Sequence, residues 1–309
     1  MRDYLKMIQK ALHNRAILFS YASASGILNF LDDATYLKMM YKVNMGESLN
    51  LDFPQTFNEK LQWLKIHDRN PLYTSLVDKY EVKKYVAARI GQQYIIPTLG
   101  VWNHFDDINF DSLPNQFVLK CTHDSGGIVI CKNKKELDKE AAKNLLEKCL
   151  KRNYYWYGRE WPYKNVKPRI IAEKFLADDD NVDLKDYKLM CFSGHLKATF
   201  VCSNRFSDTG LCVTFFDKEW KRLPFERHYP SDNREICKPD SYNEMIRLAE
   251  ILSQGIPFVR VDFYEVKGKT YFGELTFYPG NGMEEFTPKK WDKILGDMIV
   301  LPKEITNKK

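Results

Sequence analysis

The chain lacks the short signatures that most often announce an enzyme's chemistry. It has no CxxC pair, no HExxH, no GxxxxGK[ST] and no GxGxxG, which removes the commonest zinc-protease, P-loop and Rossmann readings. Its seven cysteines, at 121, 131, 149, 191, 202, 212 and 237, are odd in number. That argues against a complete disulfide framework and predicts reduced, mostly buried thiols. No run reaches the ~20 apolar residues of a membrane span. The nearest stretch, AILFSYASASGIL at 16–28, contains Ser20, Tyr21, Ser23 and Ser25, and Asp3 lies in the would-be basic region before it. An amphipathic helix resting on a partner or membrane surface is expected there, in preference to a cleaved signal. Extreme charge is absent too. The 47 basic residues are mixed among 41 acidic ones, for a net charge of +6. An anionic partner is favoured, and nucleotide, acidic glycan and nucleic acid all qualify by charge.

What the chain does have is length and a patterned hairpin. With 309 residues, 44% of them hydrophobic, it can bury a real core in two or three subdomains. Segments 258–266 (FVRVDFYEV) and 270–277 (TYFGELTF) are rich in β-branched and aromatic residues, with Lys267-Gly268-Lys269 as the turn between them. A turn centred on Gly268 sets Asp262 opposite Glu274 and Arg260 opposite Thr276. Like charges so placed repel, so a cation belongs between them. Two carboxylates and a neutral oxygen suit Mg²⁺, which completes its shell with water and phosphate oxygens. A solvated hairpin neutralised by Arg260 is the alternative, and a one-residue slip would separate the acids. The following Pro279-Gly280-Asn281-Gly282 loop lets backbone N–H groups approach an anion, and Asn281 is placed to orient an acceptor.

Along the chain, residues 1 to about 50 read as short helices. Thr56 to Glu59 is a capping box ahead of a helix face made by Phe57, Leu61 and Leu64. A helix over about 77–90 and a looser segment to about 114 follow. Strands are expected at 116–121, 127–132, 169–176, 187–193, 196–203 and 212–216, with a helix at about 134–151. Ser241 to Glu244 reads as a second capping box, opening a helix that carries Met245, Leu248, Ala249 and Leu252. Hairpins and helices in two successive blocks predict two α+β lobes behind a helical N-terminal region.

FVLKCTHDSGGI at 117–128 sets Lys120 on a strand before a small-residue turn, Ser125-Gly126-Gly127. Lys120 then reaches a phosphate while the turn closes over it, or the turn is an ordinary hairpin. His123 and Asp124 beside it either bind substrate or hold the loop closed. Glu173 and Lys174 interrupt an apolar run, where isolated buried charge is costly, so they mark a strand edge lining a polar cleft or a mutual surface ion pair. Lys79, Lys120, Lys188, Arg205 and Arg260 make a dispersed cationic set of the kind a triphosphate needs. The aromatic stretch NYYWYGREWPYKN at 153–165 is either interlobe packing or a surface for stacking on sugars.

Arg-Val-Asp-Phe, Gly-Glu-Leu-Thr and Pro-Gly resemble the metal-binding hairpin of ATP-grasp enzymes, R-x-D…E-[IV]-N-x-x-P-G, with Thr276 in the place of the asparagine. TFNEKLQWLKIHDRNP, DKYEVKKYV, FVLKCTHDSGG and DYKLMCFSG are similar to the TupA-like branch, named for teichuronopeptide synthesis, from about residue 54 to 282. The resemblance implies an ATP-grasp fold of α+β class, with two lobes sandwiching ATP. It divides the chain into an N-terminal helical region (1–76), a pre-grasp segment (77–115), lobe 1 (116–176) and lobe 2 (177–309). It also implies that Lys79 and Lys120 contact phosphates, together with Ser125, Gly126 and Gly127. Glu173, Lys174, Phe175 and Leu176 would address the adenine, and Asp179 the ribose. Lys188 would approach the triphosphate from the far lobe. Asp262, Glu274 and Thr276 would hold one or two Mg²⁺, and Arg260 would stabilise charge on the transferring phosphoryl group. His123, Arg205 and Asn281 are the candidate substrate contacts.

The activity so implied is an ATP-dependent carboxylate–amine ligase working through an acyl phosphate. Members of the branch are associated with surface-polysaccharide loci, so the expected partners are a carboxylated glycan or its precursor and an amino acid or other amine. No nucleic-acid partner is expected. A cytoplasmic location, peripheral at the inner membrane face, follows. A glycan kinase and a non-catalytic carbohydrate-binding or scaffold protein are the competing readings.

Overall fold

The computed structural model describes residues 15–177, 185–204 and 210–302. Arg205 and Asp179 lie outside them. Helices α1 (Arg15–Ala24), α2 (Asp33–Met45), α3 (Phe57–His67), α4 (Leu72–Val77) and α5 (Glu81–Ile90) come first. A four-stranded sheet follows, built from β1 (Thr98–Trp102), β2 (Phe117–Cys121), β3 (Ile128–Cys131) and β4 (Ile170–Lys174) in the order β1-β4-β2-β3, with all neighbours antiparallel. Helix α6 (Lys139–Leu150) packs on it and α7 (Tyr155–Gly158) is a single turn. A five-stranded antiparallel sheet is formed by β5 (Asp186–Phe192), β6 (His195–Ser203) and β7 (Cys212–Phe216) with two later strands. The chain first makes the short strand β8 (Glu226–Arg227) and helix α8 (Tyr242–Leu252). It then supplies β9 (Phe258–Val266) and β10 (Lys269–Thr276), completing the order β10-β9-β5-β6-β7. β11 (Phe286–Thr287) pairs with β8, and α9 (Lys290–Asp297) closes the described chain. This is an α+β architecture of two sheets behind a helical N-terminal region.

The cores are separate. Phe117, Leu119, Leu146 and Ile170 belong to a small cluster within the four-stranded lobe. The larger one takes in α2, α3, the five-stranded sheet and α8. On α8, Tyr242, Met245, Leu248, Ala249 and Leu252 are all buried, which is one stripe at helical spacing. Thr56 caps α3 with Glu59 reciprocating, as the sequence predicts. The second capping box does not form. Ser241 makes no side-chain cap and instead donates to Glu265 through its N–H and hydroxyl, at 2.7 and 2.5 Å. Glu244 accepts from the Tyr94 hydroxyl at 2.6 Å. Tertiary partners outbid the local motif.

Three other segments differ from expectation. The helix expected over 77–90 is broken at Asp78, whose Oδ1 accepts from the Tyr80 and Glu81 N–H groups at 2.8 and 3.2 Å. The looser segment contributes β1, which pairs with β4. β4 is therefore an interior strand of its sheet rather than an edge. In 153–165 Tyr155 is buried and Tyr157 is 48% exposed, and Arg159 at 1% exposure lies 4.3 Å from the Tyr36 ring centroid and 4.6 Å from that of Trp156.

The β9–β10 hairpin shows why its register holds. Lys267 and Gly268 form a two-residue turn, both with positive φ (51° and 72°), and pairing runs from Lys269↔Val266 to Phe272↔Phe263. Continued unchanged, that register would set Gly273 opposite Asp262 and turn Glu274 to the other face. A bulge between Phe272 and Glu274 inserts one residue, and Glu274↔Asp262 and Thr276↔Arg260 follow. The expected pairing is present, but a bulge produces it and not a wider turn. A Cβ at Gly273 would lie 3.1 Å from the Asp262 carbonyl oxygen and 3.1 Å from Tyr264 Cε2. Gly273→Ala is expected to cost about 1–3 kcal/mol of stability by overpacking, read as a lower urea midpoint at unchanged slope. An unchanged midpoint would show that the bulge tolerates a side chain.

Candidate active site

The strand registers lay the candidate residues in rows. Glu274, Asp262, Lys188, Phe200 and Phe215 face one another in turn across β10, β9, β5, β6 and β7. Thr276, Arg260 and Met190 form the next row. Because facing residues share a side of the sheet, two carboxylates, an ammonium and a guanidinium are held on one surface by backbone pairing alone.

Their side chains form one ion cluster. Arg260 donates to Asp262 through Nε and Nη2, each at 2.6 Å, and Nη2 reaches Glu274 Oε1 at 3.0 Å. Lys188 Nζ donates to Asp262 Oδ2 at 2.5 Å and lies 2.6 Å from Asp186 Oδ2. The Thr276 hydroxyl donates to Glu274 Oε1 at 3.3 Å. The acids differ in access. Asp262 exposes 2% of its side chain and Glu274 42%. Burial raises the Asp262 carboxyl above its ordinary value against the pull of Arg260 and Lys188. At Glu274 desolvation also pushes upward, but Lys79, Arg260, Lys188 and Lys120 prevail and hold the carboxyl at about 2. Two of those cations come from outside the five-stranded sheet, so the cluster faces a cleft shared with the smaller lobe.

Across that cleft, Glu173 is buried between Lys83 (2.5 Å) and Lys120 (2.7 Å). Burial raises its carboxyl, and the two lysines more than reverse this to leave it below the ordinary value. Its partner is neither solvent nor Lys174, which is exposed. No motif marks Lys83 in the sequence. Its place one helical turn after Lys79 was the available signal. The break at Asp78 lets Lys79 meet the small-residue loop, with its N–H on the Thr122 carbonyl (3.0 Å) and its Nζ on the Asp124 carbonyl (2.6 Å). Ser125 and Gly126 are exposed there, and Gly126 adopts φ 139°. Gly127 is buried, and a Cβ on it would sit about 3.0 Å from Cys121 Sγ and Cys149 Cβ. Phe175 and Leu176 are half-buried just past β4.

Two candidate substrate contacts point elsewhere. His123 is 2% exposed, and its Nε2 lies 3.2 Å from the Cys149 carbonyl oxygen at the end of α6. It holds the loop. Asn281 has φ 58°, and its Oδ1 accepts from Lys65 Nζ at 2.5 Å while its Nδ2 contacts Met40 Sδ. Gln62 and Lys65 on α3 also bind the backbone carbonyl of Asn281, at 3.0 and 2.9 Å. The fully buried Lys65 is thus the anchor of the Pro-Gly-Asn-Gly loop. Burial takes its ammonium down to about 7.

Among the described residues no group of three or more His, Cys, Asp or Glu side chains converges in a way that could hold a metal. The Asp262–Glu274 pair still fits Mg²⁺, which binds through one or two carboxylates, and Glu274 is the accessible partner.

The sequence profile of the family described as TupA-like ATP-grasp matches residues 59–300. The chain belongs to that family. No curated protein matches it. Among solved structures, the chain is similar to the ATP-grasp ligase PsnB complexed with a phosphomimetic variant of its minimal precursor, Mg and ADP (10% identity, 83% of this chain and 65% of that one, TM-score 0.41). D-cycloserine synthetase DcsG (14%, 74% and 71%, TM-score 0.41) and an L-amino acid ligase from Bacillus licheniformis (13%, 85% and 55%, TM-score 0.40) are comparable. The chain spans less than two thirds of PsnB, 55% in its complex with minimal precursor alone. Resemblance this remote adds nothing to the family match. No described helix is long and apolar enough to cross a membrane.

The low Glu274 value has a consequence for acid stability. The folded carboxyl titrates at about 2, against an ordinary 4.5, so the unfolded chain takes up this proton first. Its contribution is therefore present above pH 4.5 and lost as pH falls through about 2. Glu274→Gln is expected to make the fall in stability between those values shallower, measured by urea unfolding across the range. An identical slope in the variant would show that the cations do not hold Glu274.

Proposed function

We propose that the protein is an ATP-dependent ligase that joins an amino acid or other amine to a carboxylated surface polysaccharide or its precursor. One observation carries this: Arg260 reaches Glu274 at 3.0 Å and Lys188 reaches Asp262 at 2.5 Å on the five-stranded sheet, while Lys79 before α5 and Lys120 on β2 act on Glu274 from outside it. A cleft lined that way matches a triphosphate with its metal. A nucleotide-sugar diphosphate would leave part of the cationic set without a purpose.

In this assignment Lys79, Lys120 and the Ser125–Gly127 loop hold phosphates, and Glu173 positions Lys120. Glu173 to Leu176 flank the adenine. Asp262, Glu274 and Thr276 would hold magnesium, which when bound would neutralise charge on the phosphate oxygens. Lys188 and Arg260 stabilise the transferring phosphoryl group and then the tetrahedral intermediate. A carboxylate oxygen attacks the γ-phosphorus and ADP leaves. The amine nitrogen then attacks the acyl carbon, phosphate leaves, and the nitrogen's proton passes to the departing phosphate or to water. Membership of the TupA-like family supports a carboxylated glycan as the acid.

The test supplies ATP, Mg²⁺, a uronic-acid oligosaccharide and mixed amino acids. ADP and phosphate are expected only when both acceptors are present, and hydroxylamine is expected to intercept the intermediate as a hydroxamate. A phosphate ester that survives hydroxylamine would identify a kinase instead. Asp262→Asn with Glu274→Gln is expected to reduce turnover by roughly 10²-fold or more. Full surface-polysaccharide function in cells carrying that double variant would favour a non-catalytic role.

A further inference from the structure

Beyond the phosphate cluster, the row of residues continues into an unassigned charged group. Arg227 stands on β8, in the two-stranded ribbon with β11. Its guanidinium carbon lies 4.8 Å from the Phe200 ring centroid and 5.4 Å from that of Phe215, the two residues that follow Lys188 across the sheet. The guanidinium carbon of Arg260 lies 5.7 Å from the same Phe200 centroid. One ring therefore carries both guanidiniums, one engaged with the acid pair and the other not.

Arg227 exposes 6% of its side chain, and its Nε is 2.8 Å from Glu284 Oε2. The contact is not aligned as a hydrogen bond: Arg227 Nε, Arg227 Nη1 and Glu284 Oε2 are all buried without a hydrogen-bond partner. Leaving such atoms unmade is costly, and each instance in a folded protein calls for an explanation. Glu284 is held at its backbone by Asn58 on α3, which donates to its carbonyl at 2.9 Å and accepts from its N–H at 3.4 Å. Gly280 has φ 58°, and a Cβ there would fall 2.0 Å from the Glu284 carboxyl carbon. The absence of a side chain at Gly280 is what lets a carboxylate lie against Arg227.

We propose that Arg227 and Arg260, over the Phe200 ring, form the receptor for a carboxylate of one of the two ligase substrates, with Glu284 as an internal stand-in that the substrate displaces. A planar guanidinium with unmade donors, backed by an aromatic ring, suits bidentate carboxylate recognition. The site lies on the same face as the metal pair, two strands beyond Asp262, where an acyl substrate has to approach. This inference rests on the ligase assignment. The carboxylate belongs either to the acid that is activated or to an amino acid supplying the amine.

The experiment follows malonate, a small dicarboxylate, by its effect on the melting temperature of the whole chain, with MgADP as the reference for an intact nucleotide cleft. Wild type is expected to bind malonate. Glu284→Gln, which removes the internal competitor, is expected to bind it more tightly. The paired variant Arg227→Gln with Glu284→Gln leaves no lone buried charge and is expected to bind malonate about 10-fold or more weakly, with an unchanged response to MgADP. Displacement of malonate by glucuronate assigns the carboxylate to the acid substrate, and displacement by glycine assigns it to the amine. The proposal is overturned if wild type ignores malonate, if all three proteins bind it equally, or if neither glucuronate nor glycine displaces it. Loss of the MgADP response in wild type would sink the ligase assignment itself, which keeps the two failures apart.

Discussion

Two carboxylates on adjacent strands repel, and Arg260 makes their pairing possible. Its guanidinium takes both oxygens of Asp262 and one of Glu274, so the side chain that bridges the acids also fixes their separation. In a buried setting such a bridge matters more for geometry than for stability, because desolvation offsets much of the Coulombic gain. The cluster sets Arg260 and Lys188 among Asp262, Glu274 and Asp186 while one carboxylate, Glu274, remains reachable from the cleft. The bulge at Gly273 serves the same end from the backbone side, bringing Glu274 onto the face where Arg260 can reach it.

The N-terminal helices turn out to belong to the site's foundation. Lys65 is enclosed by the Gln62 side chain, the Gly158 carbonyl and two oxygens of Asn281. One ammonium thus joins α3, the end of α7 and the loop that follows the β9–β10 hairpin. Four oxygen acceptors within 2.5–2.9 Å replace the water it has lost. Asn281 at positive φ is the type of non-glycine residue that adopts this conformation most readily, and its amide is spent on the anchor.

Much of this was legible in the sequence because hairpins are local. The two β-rich runs around Lys267-Gly268, the carboxylate pair and the strand-borne Lys120 all follow from short-range pattern. The correct pairing came with the wrong cause: turn chemistry fixes the near end of a hairpin, while a bulge further along depends on backbone packing that no residue count reveals. Strand β1 was missed because Thr98 to Trp102 is short, carries Gly100 and gains its order only by pairing with β4. Ser241 and Glu244 have the right spacing for a cap but were claimed by Glu265 and Tyr94, which are distant in sequence. Lys83 and Arg227 carried no motif. Their significance depends on what lies opposite, Glu173 in one case and Phe200 in the other.

The division of the apolar interior into two clusters bears on motion. The four-stranded lobe keeps its own packed centre, while Val82 and Val86 root α5 in the larger one. Ionic and polar links cross from that helix and the turn before it: Lys83 to Glu173, Arg169 to Asp78 and Lys79 to Asp124. A small rotation of the smaller lobe about α5 can therefore trade charged contacts for hydration without unpacking either oily centre. The fold is in this respect a jaw whose joint is ionic and whose two halves are oily.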